Sequence, residues 1–300
     1  MAVTDVPIGS VPSDCRNSCG ATRVAFANPN DGYLFGPGMY TTSDGGRNWR
    51  QATGPTVDDL AVEGRTVVRI VHDHSGCPGP CEQRIQRAVA GGSSWVTATT
   101  YTGYGTPGTL ALSSTGLVYA LFGDNLAAGV IHQPTLLRSP DRGIKWTRLT
   151  DGCAAMGGSE AVAVAAAAQR VALLCADHGG GAGASAIRLS ADEGATFSAP
   201  HPAPVWFAGR IAMTARCIFV ATGARGGQGP AEFEIAASQD DGQHWKIVLR
   251  DAARLSDDLR DSTALAATAT GSVAWIGYPF RLWVSTDNGT NWVSRPAGRL

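Results

Sequence analysis

The 300 residues carry 24 Lys+Arg against 25 Asp+Glu, only 16% of them are charged, and 38 are glycine. Nothing basic is clustered, which argues against a nucleic-acid partner. The longest small apolar run, AVAVAAAA at 161–168, falls short of the ~18 residues of a membrane span. Helical periodicity is absent, and short β-branched runs punctuated by Gly, Ser and Thr predict an all-β chain.

Residues 1–20 read as an N-terminal extension, and 21–300 as one domain. The start has neither a charged n-region nor an apolar h-region, so no signal peptide is visible. The seven cysteines nevertheless suit an exported protein. Cys15 and Cys19 in CRNSC, and Cys77 and Cys81 in CPGPC, are candidate disulfides; Cys153 and Cys175 flank a predicted hairpin and form a third. Cys217 is left as a buried lone thiol. A secreted or cell-surface location is expected, with any natural leader removed. HDHSGCPGPC at 72–81 also has metal-compatible spacing, but its Pro and Gly residues already suit a disulfide-closed loop, and no metal is expected.

A short pattern recurs along the chain: TSDGGRNW from Thr42, SPDRGIKW from Ser139, SADEGATF from Ser190, SQDDGQHW from Ser238 and STDNGTNW from Ser285. AVAGGSSW from Ala88 is a worn copy in which Ala90 replaces the acid. The starts at 42, 88, 139, 190, 238 and 285 divide the chain into six units, of a length that suits four-stranded propeller blades. Most units begin with two apolar runs around a polar turn, as in LAVEGRTVVRIV (60–71), LALSSTGLVYALF (110–122), VAVAAAAQRVALLCA (162–176), IAMTARCIFVAT (211–222) and LAATATGSVAWIG (265–277). A third strand leads into the pattern and a fourth leaves it. A single six-bladed β-propeller with four antiparallel strands per blade is therefore predicted.

The pattern resembles the Asp box (BNR repeat) of the sialidase-like superfamily, over about residues 20–297. Its chemistry suits a c–d turn: Asp44, Asp141, Asp192, Asp240 and Asp287 accept main-chain N–H groups, as Asx turns do. The following glycine supplies positive φ, and Trp49, Trp146, Phe197, Trp245 and Trp292 staple the turn to a neighbouring sheet. The boxes are expected to be structural.

The resemblance puts the boxes on one face and any ligand on the other, where the d–a and b–c loops converge. It implies ligand-face candidates Asp73, Tyr101, Tyr104, Asp124, His132, Glu160, His178, Trp206, Arg225, Arg260, Tyr278 and Arg281, in loops that also carry Asp58, Asp59 and His72. Sialidases need three arginines, a Tyr–Glu pair and an acid–base Asp. Arg16 and Arg23 precede the first box without the Arg–Ile–Pro context, and only Tyr278 and Arg281 mimic part of the set. No nucleophile elbow, zinc-protease helix or phosphate loop is present, so the catalytic residues stay unassigned and no cofactor is expected. The expectation is a non-catalytic propeller, most simply a monomer, that binds a glycan or protein partner. A sialidase-like glycoside hydrolase is the alternative. A third reading is an assembly factor resembling the photosystem II assembly propellers, whose rings usually have seven blades.

Overall fold

A computed structural model describes residues 23–36, 38–73, 80–104, 108–123, 134–150, 152–153, 159–177, 185–204, 210–222, 233–251, 264–277 and 281–296. The proposed extension at 1–20, the Cys15–Cys19 pair, Cys77, and site candidates Asp124, His132, His178, Trp206, Arg225, Arg260 and Tyr278 lie outside the described residues.

The architecture is a six-bladed β-propeller, with no helix among the described residues. Blade 1 holds β1 (Arg23–Phe26), β2 (Gly32–Phe35), β3 (Met39–Thr42) and β4 (Arg50–Gln51). Blade 2 holds β5 (Thr56–Glu63), β6 (Thr66–His72), β7 (Pro80–Val89) and β8 (Val96–Tyr104). Blade 3 holds β9 (Thr109–Leu112), β10 (Val118–Phe122), β11 (Thr135–Ser139) and β12 (Thr147–Leu149). Blade 4 holds β13 (Ser159–Ala167), β14 (Arg170–Asp177), β15 (Ser185–Ser190) and β16 (His201–Ala203). Blade 5 holds β17 (Arg210–Met213), β18 (Ile218–Thr222), β19 (Phe233–Ser238) and β20 (Lys246–Asp251). Blade 6 holds β21 (Ala264–Ala267), β22 (Val273–Gly277), β23 (Arg281–Ser285) and β24 (Val293–Pro296).

Every blade is an antiparallel meander of four consecutive strands, and among the described residues no strand is exchanged between the first and last blades. The core lies between blades because successive side chains of a strand point to opposite faces. In β6, Val67 and Val71 pack toward blade 1, while Val68 and Ile70 pack toward blade 3. In β10, Val118, Ala120 and Phe122 face blade 2, while Tyr119 and Leu121 face blade 4. Each of these Val, Ile, Leu and Phe side chains, removed from water, contributes roughly 1.5–3 kcal/mol. Among the described residues a buried apolar cluster fills every junction from blades 1/2 to 5/6, and none spans blades 6 and 1.

The five intact repeat turns join the third and fourth strands with one hydrogen-bond scheme. The leading hydroxyl accepts from the glycine N–H four residues on, at 3.0 Å for Thr42, 2.8 Å for Ser139, 2.7 Å for Ser190, 2.8 Å for Ser238 and 2.9 Å for Ser285. The same hydroxyl donates to the aspartate, at 2.7–2.9 Å. That carboxylate then accepts the N–H of Asn48, Lys145, Thr196, His244 or Asn291. The residue between Asp and Gly is left-handed as well: Gly45 at φ 74°, Arg142 at 61°, Glu193 at 58°, Asp241 at 61° and Asn288 at 55°. Its side chain reaches back one blade in three turns. Glu193 pairs with Arg138, Asp241 pairs with Arg170, and Asn288 Oδ1 accepts from Thr214 Oγ1 at 2.9 Å.

The worn turn of blade 2 is built differently. It lacks the hydroxyl and the acid, and Trp95 is instead covered by the Arg69 guanidinium, 3.8 Å from the ring centroid, a cation–π contact. Arg69 itself is buried and donates to Gln86 Oε1 at 3.0 and 2.7 Å.

Candidate functional site

The first strands β1, β5, β9, β13, β17 and β21 are successive neighbours and surround the centre of the ring. They begin with Arg23, Thr56, Thr109, Ser159, Arg210 and Ala264. Their starts form one rim, opposite the rim carrying the repeat turns, and the polar chemistry of that rim centres on two adjacent acids, Asp58 and Asp59.

In a regular strand, neighbours point to opposite faces. Here the register passes from Val57↔Val71 to Asp59↔Ile70, leaving Asp58 as the extra residue of a bulge. Bulges re-aim side chains, and both carboxylates end up inside, only 7% and 8% exposed. Asp59 Oδ1 accepts from Arg23 Nη1 at 2.9 Å and from the Leu60 N–H at 2.8 Å, while Oδ2 accepts from the Leu110 N–H at 2.7 Å. One carboxylate thereby ties blades 1, 2 and 3 together. Asp58 Oδ2 meets His72 Nδ1 at 2.9 Å, and the Asp58 carbonyl accepts from Arg23 Nη2. Arg23 also lies over Phe35, 5.2 Å from the ring centroid.

Burial pushes both carboxyl groups above their ordinary pKa. His72 and Arg23 pull Asp58 back. For Asp59 the counterweights are Arg23, the Leu110 and Leu60 N–H groups, and Arg210 from blade 5. The rim thus carries cations Arg23 and Arg210 beside acids Asp58, Asp59 and Glu160. A second bulge at the start of β13, between Ala161 and Ala163, repeats the device in blade 4.

Several expected loop residues belong to strands, which run further toward this rim than the sequence indicated. Tyr101 and Tyr104 lie in β8, Glu160 in β13, Arg281 at the start of β23, and Asp58 and Asp59 in β5. Tyr101 stacks on Phe122 with centroids 4.4 Å apart, so its ring is engaged in packing blade 2 on blade 3. Asp73 is exposed and pairs with Arg84 of its own blade. The structure brings together Asp58, Asp59 and His72, and adds Arg23, which the sequence offered only as a misplaced sialidase arginine. Cys153 and Cys175 form a disulfide with both residues buried, Cys81 is disulfide-bonded, and Cys217 is a buried free thiol. No group of three metal-ligating side chains occurs among the described residues.

No protein-family model matches the chain, and no curated protein sequence matches it. Solved structures do share its fold. YCF48 bound to a D1 peptide superposes with a TM-score of 0.52 at 16% identity, over 92% of this chain and 81% of that one. YCF48 from Cyanidioschyzon merolae gives 0.50 at 15% identity, over 91% and 84%. An ancestral GH74 enzyme gives 0.53 at 11% identity over 89% of this chain, which spans only 38% of the enzyme. The class defined is the β-propeller, within which one neighbour is a peptide-bound protein and another a glycoside hydrolase.

Proposed function

We propose that this protein is an Asp-box propeller of the sialidase-like superfamily that binds a segment of a partner protein at the rim where its first strands begin, without catalysing a reaction. The observation that carries this reading is the commitment of both rim carboxylates to the framework. Asp59 is fully engaged by Arg23 and two main-chain N–H groups from separate blades, and Asp58 is engaged by His72. A retaining glycosidase instead needs two carboxyl groups facing one sugar, ~5–5.5 Å apart.

Mixed charge around the rim suits a peptide, with its own cations, anions and amides, better than a neutral sugar. Tyr101, an aromatic that a glycan site could have used for stacking, is spent on Phe122. That YCF48 carries a peptide in one structure agrees with this choice. The buried Cys153–Cys175 bridge supports an oxidising compartment.

The test is a peptide array and a glycan array read in parallel with a fluorogenic glycosidase panel. Peptide binding without turnover is expected. Glycan binding alone would replace the ligand class, and turnover lost in Asp58→Asn would replace the function.

A further inference from the structure

Propeller blades end in an outermost strand whose far edge has no partner, and such edges are normally blunted by charge, proline or shortness. Five of the six blades do this. β4 is two residues long and begins with Arg50, β12 is three long with Arg148 at its centre, and β16 is three long with Pro202. β20 carries Lys246, Arg250 and Asp251, and β24 carries Arg295 and Pro296.

Blade 2 is the exception. β8 reads VTATTYTGY, nine residues with neither a charge nor a proline. It is the last strand of its sheet, and among the described residues nothing hydrogen-bonds to its outer edge. Val96, at one end, is 61% exposed, and Val89 across the same hairpin is 49% exposed. One bulge interrupts it: Ile85 pairs with Thr99 and Gln86 with Thr97, leaving Ala98 over. Residues 99–104 are free of irregularity and rich in the β-branched and aromatic residues that favour strands.

We infer that β8 is a self-pairing edge, through which two copies of this chain join blade 2 to blade 2 in a two-fold dimer, in place of the monomer expected from sequence. The occupant follows from the chemistry of the strand. An antiparallel pair related by a two-fold axis sets a strand against its own sequence, so any charge near the axis would oppose its like. β8 carries no charge, whereas both β20 and β24 do. With Tyr101 on the axis, Thr100 lies opposite the partner's Thr102 on both sides, a Thr–Thr pairing that stabilises antiparallel sheets. Thr100 and Thr102 are exposed in the single chain, consistent with side chains free to meet a copy. The product is one eight-stranded sheet spanning two rings.

Sedimentation equilibrium tests this with two double variants, Thr100→Lys/Thr102→Lys and Thr100→Glu/Thr102→Glu. Each alone sets like charges opposite one another twice, while an equimolar mixture sets Lys against Glu. Wild type is expected to dimerise, each variant alone to dissociate more readily, with Kd raised about tenfold, and the mixture to recover the dimer. Both positions are exposed, so unchanged circular dichroism and melting of the monomeric variants separate loss of pairing from loss of fold. A monomeric wild type, a dimer insensitive to both variants, or a monomer whose β8 instead takes up an unrelated extended peptide would each overturn the inference.

Discussion

Arg23, the first residue of the first strand, donates from Nη1 to Asp59 Oδ1 at 2.9 Å, joining blade 1 to blade 2 at the rim. The same carboxylate holds the Leu110 N–H of blade 3 at 2.7 Å. Removing Asp59 therefore takes the acceptor from Arg23 Nη1 and from two N–H groups together, whereas removing Arg23 leaves the carboxylate its main-chain donors.

Asp59→Ala should accordingly cost about 3–4 kcal/mol, because two main-chain N–H groups lose a charged acceptor, at about 1.5–3 kcal/mol for each such bond and less than additively. Arg23→Ala should cost about 2 kcal/mol, because its side chain is 35% exposed and water replaces part of what is lost. The double variant should cost less than the sum. Urea denaturation of all three checks the order, and equal costs for the two single variants would contradict it.

Two turn glycines, Gly194 of a repeat turn and Gly64 of the β5–β6 hairpin, separate backbone strain from packing. Gly194 has φ +89° and a Cβ there would stand 2.6 Å from Leu149 Cδ1 in blade 3, while Gly64 has φ +56° with open space around it. Gly64→Ala should cost about 1–2 kcal/mol from the left-handed backbone alone. Gly194→Ala should add about 1–3 kcal/mol of overpacking. Thermal melts of the two variants compare the terms directly, and a Gly64→Ala variant as unstable as Gly194→Ala would show that the inter-blade contact contributes nothing.

Acid should unfold the ring through its turns. Hydrogen bonds hold the folded pKa of Asp44, Asp192, Asp240 and Asp287 at about 2, below the ordinary 3.8. The Asn48 and Thr196 side chains lead for the first two, and the His244 and Asn291 N–H groups for the others. Lowered carboxylate pKa values give stability that is complete above the unfolded value and lost as pH falls through the folded one. The loss should thus run from about pH 4 down to about 2. Asp58 and Asp59, raised by burial, act with the opposite sign: their contribution is complete below the ordinary carboxylate pKa and declines as pH rises through their raised values. Stability measured against pH should have a shallower acid slope in Asp192→Asn/Asp240→Asn than in wild type. An unchanged slope would contradict this assignment.

The ring was legible in the sequence because each repeat turn is local chemistry. A hydroxyl, a carboxylate and a glycine within five residues close the turn with bonds spanning at most four positions. The six turn positions, at five near-equal spacings, then count the blades. The rim was not legible, since Arg23 and Asp59 are 36 positions apart and Asp59 and Leu110 are 51 apart. The bulge that turns both acids inward leaves no mark beyond an Asp–Asp pair at 58–59. The left-handed residue before each turn glycine was equally hidden, because Gly45, Arg142, Glu193, Asp241 and Asn288 share that backbone but no common residue type. Trp95 survived the loss of its acid for a reason visible only in three dimensions, the guanidinium of Arg69 above its ring.

The claim that the rim acids are framework and not catalysts is tested most directly by measuring glycosidase turnover and unfolding free energy together in wild type, Asp58→Asn and Asp59→Asn. The account predicts no turnover in any of the three and a clear loss of stability in Asp59→Asn. Wild-type hydrolysis that disappears in either variant while its stability stays intact would contradict it.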